Sequence, residues 1–260
     1  MKFKMLVSTC LILGWIESYA QTKSKVCYND HCPTGQPQSN ILVDHGIFVL
    51  SSNINTKFAD WVAYKVIAKN LDGPNRKRNW KSDPNIPVGY TMTPSDYKDA
   101  HAIIGTDRGH QAPLGVFSNT DKWQLSNYLS NITPQKSELN QGAWNLLENA
   151  VRDLARSGEE VYVVTGPLYE SFFPNLPNAQ ITHTTPSGYW KSIIVQNSNG
   201  ISLSSFIMPQ NAERYDSHCN YVSTLSEVQY RAKLDIFPER YLMLQQDSLL
   251  EKLGCMLKAS

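Results

Sequence analysis

His110 stands in the run Asp107-Arg108-Gly109-His110-Gln111-Ala112-Pro113, and about thirty residues further on Asn140 and Glu148 stand eight apart. A neutral imidazole can take a proton from water at physiological pH. An amide oxygen suits a hard cation such as Mg2+, which keeps several of its own waters. On a helix Asn140 and Glu148 would share a face to within about 80° but lie about 12 Å apart along the axis. Both cannot touch one ion. The spacing therefore points to Asn140 as the single protein ligand, with Glu148 reaching the ion's waters.

By itself a histidine is no site, and Asn140 and Glu148 have ordinary readings as a helix cap and a solvated acid. Only the surrounding motif singles out His110; His31, His45, His101, His183 and His218 keep a structural reading. The basic run Arg76, Lys77 and Arg78 could be a solvated loop, and Trp144 reads as packing. Other catalytic signatures are missing: there is no Gly-x-Ser-x-Gly elbow, phosphate loop or His-Glu-x-x-His.

The elements that must position these groups can be read from periodicity. Residues 47–51 and 58–69 are rich in Val, Ile, Tyr and Trp and read as strands. Thr93, Pro94 and Asp96 look like a helix start, predicting a short helix to about 101 and a strand over 101–106 that enters the turn at Gly109 and Pro113. Residues 137–156 carry a helical stripe of Leu139, Ala143, Leu146, Leu147, Ala150, Val151 and Leu154. Residues 161–164, ending at a turn over 165–167, and the runs 190–195 and 201–208 read as buried strands. Thr224 and Glu227 form a capping box, and 242–253 is predicted as a last helix. Strands and helices without regular alternation predict an α+β fold, a mixed β-sheet core with flanking helices. A strand-turn-strand-helix unit would bring His110 and Asn140 together.

The chain has 260 residues. Lys2 and Lys4, an apolar run over 5–16 and Ser18-Tyr19-Ala20 predict a signal peptide, 1–20, cleaved after Ala20. A membrane anchor would need roughly 18 apolar residues in a row, and the run stops at Glu17. Nothing later predicts a membrane span. Residues 21–260 then form one domain, with no linker or repeat dividing them. Of the five cysteines, Cys10 leaves with the signal. Cys27, Cys32, Cys219 and Cys255 would be oxidised after export. Four thiols allow three connectivities; proximity favours Cys27 with Cys32, leaving Cys219 with Cys255. A zinc site is the rival, weakened by the lack of Cys-x-x-Cys knuckles. The whole chain has 24 basic and 23 acidic side chains. Loss of the signal takes two lysines and one glutamate, so the remainder is close to neutral. That argues against a tight, static nucleic-acid binder, though not against an enzyme that must release its products.

Two segments also carry a family resemblance: Asp107 to Pro113, quoted above, and Asn127-Tyr128-Leu129-Ser130-Asn131-Ile132-Thr133-Pro134-Gln135-Lys136-Ser137-Glu138-Leu139-Asn140-Gln141-Gly142-Ala143-Trp144. They resemble the DNA/RNA non-specific endonucleases of the ββα-metal, or His-Me finger, class, particularly the secreted bacterial sugar-non-specific nucleases. Further likeness at 76–84, at 164–170 and around the cysteines extends it over nearly the whole mature chain. The resemblance implies a ββα-metal finger with His110 as general base, Asn140 as magnesium ligand and Glu148 ordering the ion's water shell. It implies that Arg108 and Arg78 hold phosphate and that Asn127 and Asn131 are substrate-binding asparagines. It further implies Mg2+, with Mn2+ as a substitute, DNA and RNA as substrates, secretion to the periplasm or medium, and room for a homodimer. An inactive nucleic-acid binder and a phosphodiesterase for small or lipid substrates are the alternatives.

Overall fold

Side-chain alternation along the strands sorts the apolar residues onto two faces of one sheet. Residues 22–197, 200–237 and 246–255 are described by a computed structural model. The sheet contains β1 (Ile41–Asp44), β2 (Phe48–Ser52) and β3 (Ala59–Val66). A small hairpin follows, β4 (Thr106–His110) with β5 (Ile132–Lys136). The sheet continues with β6 (Glu160–Leu168), β7 (Gly188–Asn197), β8 (Gly200–Pro209), β9 (Val222–Ser223) and β10 (Gln246–Ser248). The eight strands run in the order β1-β2-β3-β6-β7-β8-β10, with β9 also on β8. All neighbours are antiparallel except β10, which lies parallel to β8.

Helices α1 (Ala100–Ile104) and α2 (Leu114–Phe117) flank β4, α3 (Ser137–Gln141) and α4 (Ala143–Arg156) follow β5, and α5 (Leu225–Ala232) comes last. Val62, Tyr64, Val161, Val163, Tyr189 and Ile193 face one way and pack on Trp144, Leu147, Val151 and Leu154 of α4. Trp61, Ala63, Tyr162, Val164, Trp190 and Ile194 face the other way, toward Tyr28, Val228 and Phe237. Period-two alternation thus supplies two cores from one sheet. A third cluster, Phe58, Met92, Tyr97, Ala100, Leu129, Ile132 and Leu176, supports the small hairpin. The α+β fold is as expected.

Several element boundaries differ from those expected. Residues 93–99 make successive turns rather than a helix. Asp96 Oδ2 accepts from the Thr93 N–H and hydroxyl, and Asp99 takes a left-handed conformation with φ 59°. Helix begins only at Ala100 and runs to Ile104, so 101–104 is helical where a strand was predicted. The long helix is broken at Gly142, where a Cβ would come within 2.4 Å of the Glu138 carbonyl and 2.5 Å of the Arg214 carbonyl. Leu146, assigned to its apolar stripe, is exposed. The turn predicted over 165–167 is strand, because β7 pairs with β6 as far as Leu168. In the predicted last helix, 246–248 is a strand on β8, while 242–245 lie outside the described residues. The capping hydroxyl of Thr224 accepts from Glu227 N–H as expected.

The disulfides are Cys27–Cys32 and Cys219–Cys255. His218 lies with Cys219 and Cys255, but both sulfurs are bonded to each other, so the cluster offers no thiolate to zinc. The signal peptide falls outside the described residues. Among the described residues no helix is long and apolar enough to cross a membrane.

Candidate active site

β4 and β5 pair so that His110 lies opposite Ile132 and Asp107 opposite Gln135, and α3 starts directly after β5. Gly109 permits the close pairing, since a Cβ there would meet the Gln135 side chain at 2.5 Å. This strand-strand-helix unit opens onto a cleft of about 1000 Å³ whose walls include Arg78, Arg108, His110, Asn140, Glu148 and Arg152. All five residues expected at the chemistry, together with Arg152, are therefore in one place.

The His110 Nε2 faces Asn127 Oδ1 at 3.3 Å. An amide oxygen can only accept, so Nε2 carries the proton and Nδ1 keeps its lone pair. Burial, seconded by the nearby Arg78 charge, lowers the His110 pKa to about 4, against the opposing bond to Asn127. The ring is thus a neutral base at physiological pH. Trp80 packs against it with centroids 5.3 Å apart.

Asn140 donates from Nδ2 to Asp107 Oδ2 at 2.9 Å. Asp107 also accepts from Gln141 at 2.7 Å, from Ser137 at 2.9 Å and from His101 at 3.1 Å. Burial alone would raise its pKa, but those bonds outweigh it and hold the carboxylate below the usual range. His101 therefore touches the site through Asp107, which its structural assignment did not anticipate.

The Glu148 side chain is 13% exposed, with Arg152 Nη1 at 4.0 Å and Lys191 Nζ at 3.9 Å. Burial raises its pKa, while Lys191 and then Arg152 pull it back. The Arg108 guanidinium lies over the Tyr97 ring at 5.3 Å and the Trp80 ring at 5.7 Å. Of the basic run, Arg76 is engaged elsewhere: its Nε donates to the Ser118 carbonyl and its guanidinium covers Trp123. Arg78 is exposed and faces the cleft, which separates the two.

Asn127 and Asn131 are fully buried, and neither is among the residues that line the cleft. Asn127 holds His110. Asn131 accepts from Ala112 N–H and donates to the Ala112 and Ser126 carbonyls, clamping the turn after His110. The loop bearing Arg78 is pinned by Asp83, which accepts from His45 at 2.9 Å and from Ser130 at 2.6 Å.

Sequence reasoning missed Arg152, Trp80 and Lys191. Arg152 lies four residues after Glu148, the ordinary spacing of a helical ion pair, and that signal was available. Basic groups at the cleft, Arg78, Lys98, Arg108, Arg152 and Arg214, outnumber the acids Asp99, Asp107 and Glu148. A nearly neutral chain thus concentrates positive charge where a polyanion could be received.

Residues 24–241 match the DNA/RNA non-specific endonuclease family. A nuclease of Serratia marcescens is 44% identical over 240 residues, covering 90% of this chain and 88% of that protein. Human mitochondrial endonuclease G is 32% identical over 174 residues, covering 62% of this chain and 57% of that protein. The structure also resembles a chain in the crystal structure of the EndoG/EndoGI complex, with a TM-score of 0.67, 24% identity, and coverage of 82% of this chain and 92% of that one. With the family match running through the hairpin, the cleft and both cores, the chain belongs to the DNA/RNA non-specific endonucleases and is a phosphodiester hydrolase.

Proposed function

We propose that the cleft hydrolyses DNA and RNA, single- and double-stranded, with Mg2+ as cofactor, water as nucleophile and little regard to sequence. His110 takes the proton from the attacking water at Nδ1, since Nε2–H is held by Asn127. Arg108 and Arg78 offer charge-assisted hydrogen bonds to the phosphate, and Arg152 adds a third guanidinium in the same cleft. Asn140 would hold the cation through Oδ1, and Glu148 would order the waters around it. When bound, the ion would supply positive charge against the negative charge that builds on the phosphate during hydrolysis. Mn2+ serves in its place.

The observation that carries this reading is the fixed Asn140 amide. With Nδ2 given to Asp107, Oδ1 is left as its acceptor in the same cleft as a neutral histidine. An oxygen donor suits Mg2+, and no thiolate lies there to favour a softer ion.

Phosphate contacts carry little sequence information, and a water nucleophile has no need of the 2′-hydroxyl. Both polymers are therefore substrates, and cleavage leaves 5′-phosphate and 3′-hydroxyl ends. The working form is one domain, 21–260, exported to the periplasm or medium after loss of 1–20; the two disulfides support an oxidising destination. The mechanism does not require a homodimer. Plasmid incubated with purified protein in Mg2+ or in EDTA tests the reading: smearing of all forms only with the ion is expected, and intact plasmid in both would refute it.

A further inference from the structure

Lys191 is a wholly buried cation on a strand of apolar residues. It shares its parity on β7 with Tyr189 and Ile193, so its side chain enters the core beneath α4. Its ammonium lies 4.3 Å from the Trp144 ring centroid, 3.4 Å from the Tyr64 hydroxyl and 3.9 Å from Glu148 Oε1. A buried ammonium costs stability unless it is paired, and its recorded ion-pair partner among the described residues is Glu148.

Glu148 is held between two cations that differ in kind. Arg152, nearest Oε2, lines the cleft, where a substrate phosphate competes for it. Lys191, nearest Oε1, is fixed by a strand hydrogen-bonded on both sides and lies outside the cleft lining. We propose that Lys191 is a positioning residue that keeps Glu148 ionised and aimed into the cleft while Arg152 engages the phosphate. The proposal rests on the nuclease reading above and assigns this lysine no contact with substrate.

The groups that act on Glu148 are Lys191 from β7, Arg152 and Trp144 from α4, Tyr64 from β3 and Arg78 from the loop before α1. Burial drives the Glu148 carboxyl up and the Lys191 ammonium down, and each charge opposes the shift of the other. Loss of Glu148 removes the ion-pair partner of the buried ammonium, and loss of Lys191 leaves Glu148 with Arg152 as its ion-pair partner.

The test is a carboxyl NMR titration of the full mature chain, metal-free and labelled with carbon-13 glutamate, with the Glu148 resonance assigned by Glu148→Gln. In Lys191→Met the Glu148 midpoint should rise by about 1–3 units. The acid limb of kcat, measured on DNA with Mg2+, should move up by the same amount while KM changes little, and activity should recover as pH rises. An unmoved carboxyl titration, or a kcat loss equal at every pH, would overturn the proposal. Should Lys191→Met unfold too readily for this, urea unfolding of the single and double variants decides. Glu148→Gln should restore stability to Lys191→Met, and simple additivity would contradict the coupling. The titration is read without substrate, so a wild-type protein inactive on DNA would count against the nuclease reading alone.

Discussion

Asn140 gives its amide hydrogen to Asp107 over 2.9 Å, and that bond fixes which way the amide faces. An unanchored asparagine could turn its NH2 toward a cation and repel it. Asp107→Ala should therefore weaken Mg2+ use by roughly 10–100-fold, as loss of an outer hydrogen-bond partner of a ligand does. Activity titrated against Mg2+ checks this, with circular dichroism to confirm folding; an unchanged half-saturation point would sink it.

His110→Ala should leave the fold intact and lower turnover by about 10²–10⁴-fold, the usual contribution of a positioned base. The variant's kcat on plasmid DNA measures it. Near wild-type turnover would remove His110 from the proton transfer.

The half-buried His110 also links stability to pH. Its folded pKa of about 4 lies below the ordinary 6.5, so between those values the unfolded chain holds the proton and the folded chain does not. Stability is full above about 6.5 and falls as pH drops toward 4, by on the order of 2–3 kcal/mol. Urea unfolding across that window should show this slope, and His110→Gln should flatten it. Arg78→Ala removes the second cause of the shift, so the imidazole midpoint followed by NMR should move up.

Both disulfides close loops in the unfolded chain, of unequal length. In the chain-entropy picture Cys219–Cys255, with a separation of 36, contributes about 4 kcal/mol, and Cys27–Cys32, with a separation of 5, about 2 kcal/mol. Paired serine variants should lose stability in that order in thermal melts. Thiol reagents should find no reactive group in the unreduced mature protein.

The local motif around His110 was legible because its neighbours pair within a short hairpin and a helix that follows at once. The strands of the sheet were legible from alternation. Residues 93–104 were not, because Asp96 hydrogen-bonds back to Thr93 and on to Gln180, a partner far along the chain that no local pattern contains. Asn127 and Asn131 stand out in the motif, but only the structure shows them buried, one on His110 and the other on the turn after it. Lys191 escaped notice because a lysine in a strand reads as an exposed residue. Its parity with Tyr189 and Ile193 was the available sign.

On this mechanism water, activated by His110, attacks a phosphodiester in either polymer. Matched DNA and RNA oligonucleotides digested in 18O-enriched water, with the ends identified by mass spectrometry, test it most directly. Cleavage of both is expected, with one 18O in each new 5′-phosphate and with 3′-hydroxyl ends. Cleavage of RNA alone with 2′,3′-cyclic phosphate ends and no label would contradict it.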